Sequence, residues 1–367
     1  MKSVYIHVPF CESKCPYCAF SSAVKKTADE ETYLKALEAE IAARSPLARG
    51  NAISTLYIGG GTPTALSPSA WLGLISIIKG AFRLAPDAEV TAEANPSTLS
   101  PRHVGLWRGF VNRVSIGVQS FNDAELAFLG RVHDTRQAEE AALLCADAGF
   151  KTSFDLMFGL PGQTLRGWGE NLRRAAELSP DHISAYQLTI EPGTLFADLP
   201  LSGALTDGYG HYRFAQWFLP RKGYGQYEVA SFSKPGEESR HNLNYWADGE
   251  YLGLGPSAWS HIGASRSKNA PDLAEYARMM ASGKSASVYE ENLARAPNAR
   301  QAAVLALRTK NGIVWRSFKE RHGKTLKDEI EEKLARFPKS LVINDGTAVR
   351  LTPAGFRVAN KIWEEII

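Results

Sequence analysis

Three cysteines fall within one short loop, Cys11-Glu12-Ser13-Lys14-Cys15-Pro16-Tyr17-Cys18. Thiolates are soft ligands that select iron–sulfur clusters, zinc or copper(I). A [4Fe–4S] cube usually takes four cysteines, so three leave one iron with an open position. An open metal position is where a substrate can ligate. Two other readings compete. One is a Cys₃His zinc site completed by His7, although zinc ligands usually come as two pairs and the chain has no second pair. The other is a redox pair of Cys15 and Cys18, which leaves the third thiol without a role. The fourth cysteine, Cys145, stands alone in Ala141-Ala142-Leu143-Leu144-Cys145-Ala146. It reads as a buried helix residue.

A second constellation is Leu56-Tyr57-Ile58-Gly59-Gly60-Gly61-Thr62-Pro63-Thr64. Glycines after a strand let a ligand approach bare backbone. The third glycine and Pro63 are wrongly placed for a dinucleotide fingerprint. One strand beyond the cysteine loop, the run points instead to a ligand shared with that loop.

These residues need a scaffold, and the strand-then-helix rhythm of the first half supplies one. Apolar, β-branched runs at Val4–Val8, Thr55–Ile58, Glu89–Ala94, Arg113–Val118, Thr152–Leu156 and His182–Leu188 predict strands. Helical patterns lie between them at Ala28–Arg44, Pro68–Lys79, Pro101–Arg108, Thr135–Ala148 and Leu165–Leu178. Ser67, Ser100 and Thr164 carry N-cap signals. About six βα units in series predict a partial parallel β/α barrel. In such barrels the chemistry sits at the C-terminal ends of the strands. The cysteines and the glycine run follow the first two strands, and Glu93, Gln119 and Asp155 lie at or near the ends of the next three.

After Leu188 the pattern changes. An aromatic helix near Tyr209–Phe218 and a strand at Tyr227–Phe232 are expected, then a polar loop at 233–240 and the glycine-rich Tyr251–Pro256. Helices from about Asn298, with strands Leu341–Asn344 and Ala348–Leu351 around Asp345-Gly346, predict a winged-helix-like α+β domain. We therefore expect a barrel over 1–235, a connecting segment over 236–290 and this small domain over 291–367.

The bulk numbers exclude several classes. The chain has 367 residues, 44% hydrophobic and 22% charged, an ordinary globular composition. A net charge of +3, from 42 basic and 39 acidic residues, gives no case for an obligatory nucleic acid. No run approaches the roughly 18 apolar residues of a membrane span. Residues 1–10 read as a strand and not as a signal peptide, so a cytoplasmic, reducing compartment is expected.

The CxxxCxxC loop with Tyr17 before the last cysteine, followed by Gly60-Gly61-Thr62-Pro63, resembles the radical SAM superfamily. Further segments resemble its oxygen-independent coproporphyrinogen III oxidase family. They are Tyr5–Cys11, Glu93-Ala94-Asn95-Pro96, Ser115–Phe121, Asp155–Thr164 and Ile190–Thr194. His241-Asn242-Leu243-Asn244-Tyr245-Trp246 is similar to a motif of the heme-chaperone branch of that family, HemW. With the C-terminal domain, the resemblance covers nearly the whole chain.

The resemblance implies roles. Cys11, Cys15 and Cys18 hold a [4Fe–4S] cluster, whose open iron chelates S-adenosylmethionine (SAM). Gly60, Gly61 and Thr62 contact the methionine end, and Tyr5 and Tyr17 line the ligand. Glu93, Gln119, Arg131 and Asp155 hydrogen-bond its polar groups. The implied chemistry is reductive cleavage of the sulfonium to a 5′-deoxyadenosyl radical, with the barrel orienting the ligand and excluding water. The heme-chaperone branch implies heme as cargo, a heme-accepting protein and an electron donor such as flavodoxin or ferredoxin. His241 is its candidate iron ligand, with Tyr245 and Trp246 as aromatic faces.

Two alternatives are coproporphyrinogen III dehydrogenation, which converts propionates to vinyls, and methyl transfer with a second SAM. The dehydrogenase typically has a further cysteine where this chain has Phe20. It also has a longer segment before its cluster, for which the early position of Cys11 leaves no room. From the chaperones the chain departs at Ala19, where many have an acidic residue, and at Trp259, where a histidine is usual although His261 lies two residues on.

Overall fold

The computed structural model describes residues 1–26, 29–48, 50–201 and 205–367. Six parallel strands lie side by side in chain order: β1 (Ser3–Val8), β2 (Ile53–Gly60), β3 (Leu84–Ala94), β4 (Arg113–Gln119), β5 (Lys151–Phe158) and β6 (His182–Gln187). Leu252–Leu254 adds a parallel strand outside β1, and Ser231–Ser233 an antiparallel one outside β6. This is the expected partial barrel, with its two open edges covered by later parts of the chain. Helices α1 (Asp29–Arg44), α2 (Pro68–Ala81), α3 (Pro101–Trp107), α4 (Thr135–Asp147) and α5 (Leu165–Glu177) connect the strands. The expected start of the first helix, Ala28, lies outside the described residues.

The strands divide their side chains by period two. Leu56 and Ile58, like Val4 and Ile6, are buried among apolar neighbours. Alternate positions carry Tyr5, Tyr57, Glu93, Ser115, Asp155 and Ser184, in register on the opposite face of the sheet. The apolar set packs beneath the helices, where Trp71, Trp107 and Trp168 are fully buried. The polar set lines the lumen.

Helix caps follow the sequence in two of three cases. Ser67 accepts from the Ala70 N–H and Thr164 from the Gly167 N–H. Ser100 does not cap, because its hydroxyl is paired at 2.9 Å with Nδ1 of His103.

The second half departs more from expectation. The strand expected over Tyr227–Phe232 shrinks to Ser231–Ser233, because Glu228 curls its carboxylate back to accept from the Ala230 N–H. The segment after residue 250 forms an unexpected three-stranded meander, Trp259–Ile262, Ser265–Asn269 and Ser287–Asn292. Its polar strands show no alternation to read. The Asp345-Gly346 hairpin forms, with the Asp345 carboxylate accepting from the N–H groups of Thr347 and Ala348. A short strand, Ile313–Val314, completes that sheet.

Buried Glu40 ties α1 to the segment that covers β1. It accepts from Arg44 at 3.0 Å, Asn269 at 2.7 Å, Tyr276 at 2.7 Å and the Gly255 N–H at 2.8 Å. A buried carboxylate with this many donors is fully compensated.

Candidate functional site

The cysteine loop rests on the glycine run. The Gly61 N–H donates to Val8 at 2.8 Å and the Thr62 N–H to Phe10 at 2.6 Å. A Cβ on Gly61 would stand 2.5 Å from the Phe10 carbonyl oxygen, so no side chain fits there. At Gly60 φ is +115°, and a Cβ would strike the His7 ring at 2.6 Å. The glycines are therefore required by close approach of the chain, and they leave bare backbone beside the loop.

The three thiols of this loop are not paired as disulfides, and among the described residues no three ligating side chains already stand together as a metal-holding group. The Thr62 hydroxyl donates to Cys11 Sγ at 3.5 Å, and Arg131 Nη1 to Cys15 Sγ at 3.4 Å. Burial raises the Cys18 thiol, and Cys15 and Cys11 raise it further. His7 is no fourth ligand. Its ring nitrogens are taken by the Tyr5 hydroxyl at 3.0 Å and the Ser21 carbonyl at 2.7 Å. Cys145 lies in the core on α4, with its thiol pushed up to about 12 by burial. The zinc reading thus lacks its histidine.

The lumen above β3, β4 and β5 carries two carboxylates that form no ion pair among the described residues, although Arg113 and Arg131 act on Asp155 electrostatically. Glu93 accepts from the Tyr57 hydroxyl at 2.8 Å and the Gly60 N–H at 3.0 Å. Burial nevertheless raises it to about 7. Asp155 accepts from Ser115 at 3.1 Å, and burial raises it to about 6. Taking a carboxylate out of water is costly unless a positive group joins it. Beside them Arg131 donates Nη2 to the Gly117 carbonyl at 2.9 Å, while its Nε is buried without an acceptor. Gln119 ends β4 at φ 66°, a left-handed conformation that a non-glycine residue holds only under constraint. Tyr17 is linked electrostatically to Arg131, Cys15 and Cys18, and Tyr5 stacks on Tyr57 with ring centres 6.1 Å apart.

Carboxylates still raised despite their hydrogen bonds, an unfilled arginine donor and bare glycine backbone fit one kind of ligand. It is cationic, carries a carboxylate of its own and lies beside the three thiols. SAM has a sulfonium, an ammonium and a carboxylate. A [4Fe–4S] cluster with SAM would supply reductive cleavage of the sulfonium, and the chain's own residues would hold, orient and desolvate that pair.

His241 sits at the other end of the lumen, on the short helix Arg240–Trp246. It is 1% exposed. Nδ1 pairs with the Thr55 hydroxyl at 2.9 Å and Nε2 with the Tyr245 hydroxyl at 2.8 Å. Its ring stacks on Tyr57, and its N–H donates to Glu89 at 2.9 Å. Burial lowers it to about 3, so it stays neutral. Both nitrogens are engaged inside the protein, which leaves neither free for iron. His241, the candidate iron ligand, and Tyr245, expected as an aromatic face, are bonded to each other here and plug the barrel floor. Trp259 is 41% exposed, and His261 is buried beside Asp248.

Sequence reasoning passed over Tyr57, Ser115 and Ser184. A signal existed, since each is a polar residue at the alternate position of an otherwise apolar strand.

Comparison with known proteins places this arrangement. The radical SAM superfamily pattern matches residues 5–175. The heme chaperone HemW of Escherichia coli is 44% identical over 269 residues, covering 71% of this chain and 70% of that one. The heme chaperone HemW of Bacillus subtilis is 33% identical over 372 residues, covering 99% and 98%. The chain belongs to the HemW family. Its fold also matches the solved structure of coproporphyrinogen III oxidase, HemN, from E. coli, a radical SAM enzyme. The TM-score there is 0.87 at 27% identity, covering 99% of this chain and 89% of that one. The family implies SAM and a [4Fe–4S] cluster, in keeping with the donors found here. No helix among the described residues is long and apolar enough to cross a membrane.

Proposed function

We propose that this protein binds heme and delivers it to an acceptor protein. A [4Fe–4S] cluster is held by Cys11, Cys15 and Cys18, and SAM is chelated at the open iron. Gly60, Gly61 and Thr62 meet the methionine end, Tyr5 and Tyr17 line the ligand, and Glu93, Gln119, Arg131 and Asp155 take its polar groups. An electron donor such as flavodoxin or ferredoxin reduces the cluster, in the cytoplasm and as part of porphyrin metabolism. The observation that carries the reading is agreement with a heme chaperone along 99% of the chain, at 33% identity. A radical SAM domain by itself is shared by many chemistries, so agreement beyond that domain is what favours carriage.

Hemin titrated into the protein under anaerobic conditions should give a saturable Soret band. Mixing with an apo heme protein should then move the heme to the acceptor. A protein that takes up no hemin would refute the reading. A second reading, oxidative decarboxylation of coproporphyrinogen III, draws on the likeness to HemN. Against it stands Phe20, 70% exposed where that enzyme's further cysteine would fall.

A further inference from the structure

A cavity of about 410 Å³ opens between the C-terminal ends of β5 and β6 and the last helices of the chain. Sites for drug-sized ligands run to roughly 300–1,000 Å³. Its walls carry five aromatic faces, Phe158, Tyr186, Tyr212, Phe356 and Trp363. Arg357 and Lys361 add positive charge on the C-terminal side.

Behind Trp363 lies a side chain in an unusual state. The Arg308 guanidinium stands between two indoles, 4.3 Å from the centre of Trp246 and 5.1 Å from that of Trp363. Among the described residues its side chain has no hydrogen bond and no ion pair, and its Nε is buried without an acceptor. Burial lowers its pKa, as expected for a cation short of compensation. Glu228 is an electrostatic neighbour, but its own carboxyl is raised by burial and its Oε2 has no partner. The indole N–H groups of Trp246 and Trp363 are also buried without acceptors. Arg308 is near enough to influence the cavity residues Tyr186 and Tyr212. A half-buried arginine with no ion pair among the described residues, and two unpaired N–H donors, next to an aromatic cavity call for an anionic group on a flat apolar body. Tyr186 also neighbours Asp155, so the cavity adjoins the SAM end of the lumen.

We propose that this cavity is the heme site, and that Arg308, braced by Trp246 and Trp363, takes a heme propionate. The assignment rests on the heme-carriage reading and gives it a place. Porphyrin faces meet the aromatic walls, and the carboxylate supplies the negative charge that Arg308 lacks. In the motif at 241–246, Trp246 then serves the cargo while His241 serves the fold.

The test compares hemin with hemin dimethyl ester, in wild type and in three variants. Arg308→Gln should weaken hemin about 30-fold, in line with removing one partner of a buried charge pair, and Arg308→Lys should recover part of that loss. The ester should bind wild type as weakly as hemin binds Arg308→Gln, and the variant should not weaken it further. Ala230→Phe fills the cavity from the wall where Ala230 pairs with Ala185 and keeps the Arg308 side chain, and should abolish hemin binding. Melting temperature and reconstituted cluster absorbance report folding in every case. Should Arg308→Gln not fold, the ester and Ala230→Phe still decide. Hemin bound by Arg308→Gln or by Ala230→Phe with wild-type affinity, or ester bound as tightly as hemin, overturns the site and leaves heme carriage standing. A wild-type protein that ignores hemin overturns both.

Discussion

The two ends of the barrel lumen hold similar side chains in opposite conditions. At the floor, His241 has both nitrogens paired, and both Glu89 oxygens accept, from the N–H groups of Arg240 and His241. At the mouth, Glu93 and Asp155 are raised by burial and Arg131 keeps an unused donor. Satisfied polar groups hold a fold together, and unsatisfied ones at a cavity wait for a ligand. The contrast separates structural from functional residues where their chemical types cannot.

The largest expected effect is at the thiols. Cys15→Ala should abolish the broad absorbance near 400 nm and the roughly four irons per chain expected after anaerobic reconstitution. A stoichiometric zinc in wild type would break the account of the mouth.

The second effect is at the floor. His241→Ala strands the Tyr245 hydroxyl and leaves the Thr55 hydroxyl only Ser3, and should cost about 2–3 kcal/mol of stability. Chemical denaturation measures it. The heme spectrum of the folded variant should be unchanged, and a lost axial ligand there would reverse the assignment of the two ends.

The third concerns Glu93 and pH. Burial raises its carboxyl from 4.5 to about 7, so the folded state holds this proton more tightly than the unfolded chain does. The stability it lends is complete below pH 4.5, falls as pH rises, and is gone once pH passes about 7. Without ligand, Glu93→Gln should therefore raise the melting temperature at pH 8 and do little at pH 4. At pH 8 the same change should weaken SAM binding about 10- to 100-fold, the worth of a charge-assisted hydrogen bond. Equal SAM affinity in variant and wild type would remove Glu93 from the site.

The smallest effect is at Arg131. Lysine keeps the charge but loses the fork that reaches both Gly117 and Cys15, and should cost about tenfold in SAM affinity by calorimetry.

How much of this was legible in the sequence follows the same division. The six strands and their helices were readable because apolar spacing is local, and the cysteines and glycines because close approach restricts residue type. Arg131 was found through resemblance, whereas its bond to Cys15 crosses 116 residues and has no local signature. The place of His241 is not legible, because a histidine in a polar motif looks the same whether it ligates iron or plugs a barrel. Its partner Thr55 lies 186 residues away. The meander after residue 250 was missed for a different reason, since Ser265-Arg266-Ser267-Lys268 has no apolar face to reveal a strand.

Carriage and conversion of porphyrin are separated most directly by one anaerobic incubation. Reconstituted protein, reductant, SAM and coproporphyrinogen III are combined, and the porphyrins and nucleosides are read by mass spectrometry. Coproporphyrinogen III should be recovered unchanged, from a preparation that still binds hemin. Vinyl products would contradict carriage in favour of the dehydrogenase, and a methylated porphyrin with S-adenosylhomocysteine would contradict it in favour of methyl transfer.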